Sequence, residues 1–152
     1  MRRKVLAGVL SVMLCAGFSA SAFSQVKPQV LVKQRQAAMT LQGKYFGPLY
    51  GMVQGKVPYN AEVAARNAAY LDALSKMPWD GFEASTASEK SEALPAVFSE
   101  PDKFKKAAEE MQAAVAKLVS ESKSGNEASI KAAIGAVGKT CGGCHDHYRM
   151  KM

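Results

Sequence analysis

Apolar residues recur three or four positions apart along most of this chain, the spacing of one face of an α-helix, and runs of strict alternation are nearly absent. The pattern predicts four helices. The first spans about Gln29 to Gly55, with Leu31, Ala38, Leu41, Tyr45, Leu49 and Met52 on its apolar side. Gly47-Pro48 falls inside it. Proline lacks the amide proton of a helical hydrogen bond and crowds the preceding turn, so a kink or a split is expected there. The second helix follows Val57-Pro58-Tyr59. Asn60 suits its N-cap and Glu62 the positive end of its dipole, Val63, Ala64, Asn67, Tyr70, Leu71 and Leu74 form its inward stripe, and it stops before Pro78.

Pro78 to Glu100 is a long connection, rich in serine and anchored by Trp79, Phe82 and Phe98. Its length implies a crossover rather than a tight hairpin. The third helix starts near Ser99 with Pro101 in its first turn, and carries Phe104, Ala108, Met111, Val115 and Leu118. Gly125-Asn126 ends it, and Asn126 caps a fourth helix bearing Ile130, Ile134, Val137, Cys141, Cys144, His145 and Tyr148. Gly135 and Gly138 on that helix suit close approach of a neighbour or ordinary tight packing. The expected fold is all-α: an antiparallel four-helix bundle, with room for a cofactor between facing helices.

The candidate chemistry lies at the end of the fourth helix, in Cys141-Gly142-Gly143-Cys144-His145. Cys-x-x-Cys-His is the attachment signature of c-type haem. Residues three apart share a helix face, so both thiols can meet one edge of a flat porphyrin and add across its vinyl groups, while His145 supplies an axial ligand to iron. Three alternatives stand beside this reading. A thioredoxin-like pair needs a strand before the motif, and none is suggested. A zinc site using Cys141, Cys144, His145 and His147 would crowd four ligands into seven residues. A plain disulfide would be strained at this spacing and leaves His145 unexplained. A haem near one end of the bundle therefore accounts for most of the motif.

The N-terminus bears on compartment. Arg2, Arg3 and Lys4 precede an apolar run from Val5 to about Phe18, then the small residues Ala20, Ser21, Ala22 and Ser24. That order is a secretory signal peptide, with an apolar run too short to span a membrane. Cleavage after Ala22 or after Ser24 fits, and residues 1–24 are taken as the leader, leaving 25–152 as one domain. Leu14 before Cys15 is not the small residue a lipid anchor needs, so no membrane anchor is expected. Haem is attached to c-type proteins outside the bacterial cytoplasm, which places the mature protein in the periplasm.

The full chain has net charge +7. Without Arg2, Arg3 and Lys4 it is +4, and two haem propionates bring it near +2. No dense Lys/Arg stripe suggests nucleic acid. Repeated Glu-x-x-His motifs of metal-storage bundles are absent, and no conspicuous Asp/Glu pair accompanies His147, so no enzymatic acid–base site is expected.

A resemblance extends over essentially the whole mature chain. Cys141-Gly-Gly-Cys-His145-Asp-His-Tyr-Arg149, Arg35-Gln36-Ala-Ala-Met39-Thr-Leu41, Pro58-Tyr59-Asn60-Ala61 and Met77-Pro78-Trp79 resemble segments of the cytochromes c′, class II c-type cytochromes with the haem motif near the C-terminus. The resemblance implies a homodimer through the first two helices and a five-coordinate, high-spin haem c, one per chain, with His145 on iron. It implies NO and CO binding at the other face. It places Arg35 and Gln36 near the propionates, Met39 over the vacant face and Arg149 on the proximal side. Gly142-Gly143 and His147 depart from the family's usual residues; His147, two from His145, is expected to point away from iron. Met39 carries the open alternative. Low-spin relatives use a methionine from this region as sixth ligand, which would make the protein a simple electron carrier with an unidentified redox partner. In the open-face reading, Met39 and groups such as Ala38, Ala64 or Tyr70 line an apolar pocket.

Overall fold

The computed structural model describes residues 26–151. The leader peptide and its two cleavage positions lie outside the described residues. Helix α1 runs Pro28–Val53, α2 Ala61–Leu74, α3 Ala96–Ser99, α4 Pro101–Ser122 and α5 Glu127–Tyr148. Four of these form the bundle: α1 packs on α2, α2 on α4, α4 on α5 and α5 on α1, with α3 a single turn leading into α4.

Local chemistry places the helix starts as expected. The Asn60 side chain accepts a hydrogen bond from the Val63 amide, and that of Asn126 accepts one from Ser129, each at 2.9 Å. Gly125 between α4 and α5 has φ +71°, a left-handed conformation that glycine adopts without strain. Helix α1 is not split at Pro48. Pro48 leaves the Lys44 carbonyl without its helical donor, and Lys44 is exposed, on the side of the helix open to water.

The core runs between the helices on Leu49, Leu118, Ile130 and Ile134, all fully buried, with Val115 and Val137. The whole expected stripe of α4, from Phe104 to Leu118, is buried. Of the expected inward positions of α1 and α2, Tyr45 and Val63 are half-buried and two are exposed: Leu41 of α1 at 41% and Tyr70 of α2 at 46%, its ring 4.8 Å from that of Tyr45. Periodicity assigned the two exposed residues to the core, but they sit on the outer shoulder of the α1–α2 pair. Gly138 of α5 lies against the Phe46 and Tyr50 rings of α1, whereas nothing approaches the Cβ direction of Gly135.

The crossover folds back over one end of the bundle. It holds two 3-10 turns, Trp79–Phe82 and Ala84–Thr86, and the first presses on α1. Gly81 makes that contact: a Cβ there would lie 2.7 Å from the Arg35 Cβ and 2.9 Å from the Leu31 carbonyl oxygen. Gly81→Ala is expected to lower stability by about 1–3 kcal/mol, the usual cost of overpacking, read as a fall in the urea midpoint at unchanged slope. A midpoint equal to wild type would mean that the turn stands off from α1.

Candidate functional site

The same end of the bundle holds a cavity of about 530 Å³, within the roughly 300–1,000 Å³ typical of cofactor pockets. Helix α1 contributes Arg35, Gln36 and Met39, and α5 contributes Cys144, His145, Tyr148 and Arg149. The crossover and the start of α4 close it with Phe82, Val97 and Phe104, and Ser91 to Ala93 form part of the rim. Phe104 is the hub of the apolar wall, edge-on to Phe82 at 4.8 Å and to Tyr148 at 5.1 Å between ring centroids.

Cys141 and Cys144 are free thiols on α5, both half-buried. Cys144 and His145 border the cavity, while Cys141 lies one turn earlier and packs on the main core. Burial pushes both thiols above their ordinary pKa, with the Cys141 charge adding to the effect at Cys144. The His145 imidazole is pushed down, first by burial and then by Arg149, with Asp146 opposing. Both main causes keep the ring neutral, with a nitrogen lone pair free for a metal. His147 is exposed and does not line the cavity.

Arg35 is the unusual group. It is only 3% exposed. One guanidinium nitrogen donates to the Gly81 carbonyl at 2.6 Å and to Thr86 Oγ1 at 3.0 Å, and the other donates to Ser91 Oγ at 2.9 Å. Its carbon stands 4.3 Å from the Phe82 ring centroid. These partners are all neutral, and burial alone lowers its pKa. A buried cation without a carboxylate partner is costly, and one bordering a cavity suits an acidic ligand there.

A small β-like clasp ties the crossover to the end of α5. The Leu94 amide donates to the Tyr148 carbonyl at 2.9 Å, and the Met150 amide donates to the Glu92 carbonyl at 2.8 Å. Ala93 and Arg149 are thus held across from each other at the cavity's edge.

Every site residue expected from the sequence except Cys141 lines this one cavity. The auxiliary residues fare differently. Ala38 and Ala64 are buried elsewhere and Tyr70 faces outward, so none of the three lines it. In the sequence, Phe82 is legible only as an apolar anchor of the connection, Phe104 only as part of the third helix's apolar stripe, and Tyr148 only as a position on the fourth helix. Ser91, Glu92 and Ala93 carry no local signal of a site; the clasp brings them in. Among the described residues no three His, Cys, Asp or Glu side chains converge as a metal cluster, which leaves the zinc alternative without a ligand set.

The donors present fit a c-type haem: two thiols three residues apart, an adjacent imidazole, an apolar wall, and a buried guanidinium bordering the same cavity. The family model described as Cytochrome C′ matches residues 30–149. Cytochrome c′ of Rubrivivax gelatinosus is 44% identical over 82% of this chain and 98% of its own. Its crystal structure superposes with a TM-score of 0.77, covering 81% of this chain and 97% of that one. Cytochrome c prime from Shewanella frigidimarina superposes at 0.80 with 34% identity, over 84% of this chain and 99% of its own. A nitric oxide complex of a variant of cytochrome c prime from Alcaligenes xylosoxidans superposes at 0.77 with 36% identity, over 84% and 99% of the two chains. A carbon monoxide-bound variant of the same protein superposes at 0.76, also with 36% identity, over 83% and 98%. With this fold, this haem-attachment motif and these relatives, the chain belongs to the cytochrome c′ family, four-helix-bundle proteins that carry covalently bound haem c.

Proposed function

We propose that this protein is a periplasmic gas-binding cytochrome. Residues 1–24 are removed on export, and residues 25–152 form the haem domain. When bound, haem c supplies an iron that takes small diatomic gases and exchanges electrons. The chain's own residues decide which of these happens. Cys141 and Cys144 anchor the group covalently, and His145 holds iron from α5. Arg35 and Gln36 border the acidic substituents, and Arg149 stands on the histidine side, fixed by the clasp with Ala93. Met39 guards the remaining face against water and anions while leaving NO and CO a passage at steric cost.

The observation that carries this reading is the shared cavity: α1 brings Met39, and α5 brings His145, to the walls of one space with an apolar lining. The NO and CO complexes of the Alcaligenes xylosoxidans protein, at 36% identity, support gas as the ligand class. Catalysis forms no part of the reading. The reading includes a homodimer through α1 and α2, for which Leu41, Tyr50, Val57 and Tyr70, each at least 40% exposed on or beside those helices, offer apolar surface. No helix among the described residues is long and apolar enough to cross a membrane.

The test is the optical and EPR spectrum of the purified protein, oxidised and reduced, before and after CO or NO. A high-spin spectrum that shifts with gas is expected. A low-spin spectrum with a sulfur-to-iron band and no gas response would instead make Met39 the sixth ligand and the protein a simple electron carrier with an unidentified partner.

A further inference from the structure

A second cavity, of about 370 Å³, lies on the other side of the aromatic wall. Phe82, Val97 and Phe104 line both spaces, so side chains of these three residues form the partition between them. Trp79, Pro101 and Ala108 complete the apolar lining of the second one. The Trp79 ring lies 6.2 Å from Phe82 and 5.9 Å from Phe104, centroid to centroid, which closes a triangle of aromatic faces.

The two polar side chains nearest the aromatic wall are already engaged. Trp79 Nε1 donates to the Ser75 carbonyl at 2.6 Å, and Gln112 Nε2 donates to the same oxygen at 3.3 Å. At the rim, Lys105 pairs with Glu109 at 3.8 Å. Away from the exposed Lys105 ammonium at the rim, a polar ligand would displace bonds already made. A small neutral apolar molecule loses nothing by entering and gains dispersion contacts with three rings. The partition also reaches the α1 side of the haem cavity, since the guanidinium of Arg35 lies over Phe82. Phe104 is buried and Phe82 half-buried, so a diatomic molecule crosses this wall only as these rings reorient, a side-chain rather than a backbone motion.

We propose that the second cavity is a docking site for small apolar gases of the NO and CO class, and that it feeds the haem cavity through the Phe82–Phe104 partition. This rests on the gas-binding reading above, and deepens it by naming the route.

Two measurements on the haem-loaded protein test it. Crystals pressurised with xenon are expected to show density among Trp79, Phe104 and Ala108. Ala108→Met, which fills the cavity from α4, is expected to abolish that density and to slow CO association and dissociation together by about tenfold, or ~1.4 kcal/mol on the entry barrier, with affinity unchanged. Ala108 is buried, so Gln112→Trp, from the half-buried rim, serves as a second block that leaves the core intact and should slow both rates in the same way. Unchanged rates in both variants overturn the proposal whether or not xenon binds. A change in affinity without a matching change in both rates overturns it too, since a doorway alters rates alone. If the wild-type haem takes up no CO, the gas-binding function fails, and xenon occupancy by itself then decides whether the docking site exists.

Discussion

Replacing Met39 by alanine is expected to accelerate CO association by about two orders of magnitude and to tighten CO binding. Met39 is half-buried on α1 and lines the cavity that also receives His145. In the proposed gas-binding reading, an incoming diatomic displaces its flexible thioether from packing contacts. Removing the side chain eliminates a displacement cost of about 2–3 kcal/mol, the scale of truncating a packed methionine, and each ~1.4 kcal/mol is a factor of ten in rate. Met39→Leu, which keeps the volume, should change the rate only a few-fold. Flash photolysis of the ferrous CO complex measures both variants. A rate for Met39→Ala equal to wild type would remove Met39 from its guarding role. A wild-type low-spin spectrum that Met39→Ala converts to high-spin would show instead that the sulfur had been on iron.

The second large effect concerns Arg35. Arg35→Met is expected to destabilise the fold by about 2–4 kcal/mol: three hydrogen bonds from a charged donor are lost, each worth about 1.5–3 kcal/mol, offset in part because a buried cation is no longer desolvated. For a domain of this size the melting temperature should fall by roughly 10 °C. Arg35→Lys should recover little of this, because one ammonium cannot reproduce a planar fork that reaches the Gly81 carbonyl, Thr86 and Ser91 at once. Thermal melts followed by circular dichroism would check both. A fall of less than about 2 °C for Arg35→Met would mean that these bonds contribute almost nothing in solution.

These two residues mark different kinds of legibility. Met39 is recognisable as a candidate because Arg35-Gln36-Ala-Ala-Met39 resembles a known family segment, and the folded chain places it in the cavity with His145. The load that Arg35 carries is not recognisable in the same way. Its partners lie 46, 51 and 56 residues further on, in a serine-rich stretch whose composition announces only a loop. Likewise the periodicity of α1 and α2 marks Leu41 and Tyr70 as apolar-face residues without saying whether that face meets its own core, and both emerge on the surface.

Features set by short-range chemistry are therefore written in the chain itself. The two asparagine caps, the glycine break before α5, the buried stripe of α4 and the thiol–thiol–imidazole spacing each depend on residues within a few positions of one another. Features that depend on distant segments meeting belong to the folded molecule alone: the clasp between Ala93 and Arg149, the seating of Arg35 beneath the crossover, the exclusion of Ala64 and Tyr70 from the cavity, and the aromatic partition shared by two cavities. The physical reason is that helix signals are local torsional and capping preferences, repeated at a fixed period. A cavity is the space left when four helices and a crossover pack, and its walls are chosen by the joint arrangement of all of them rather than by any one segment.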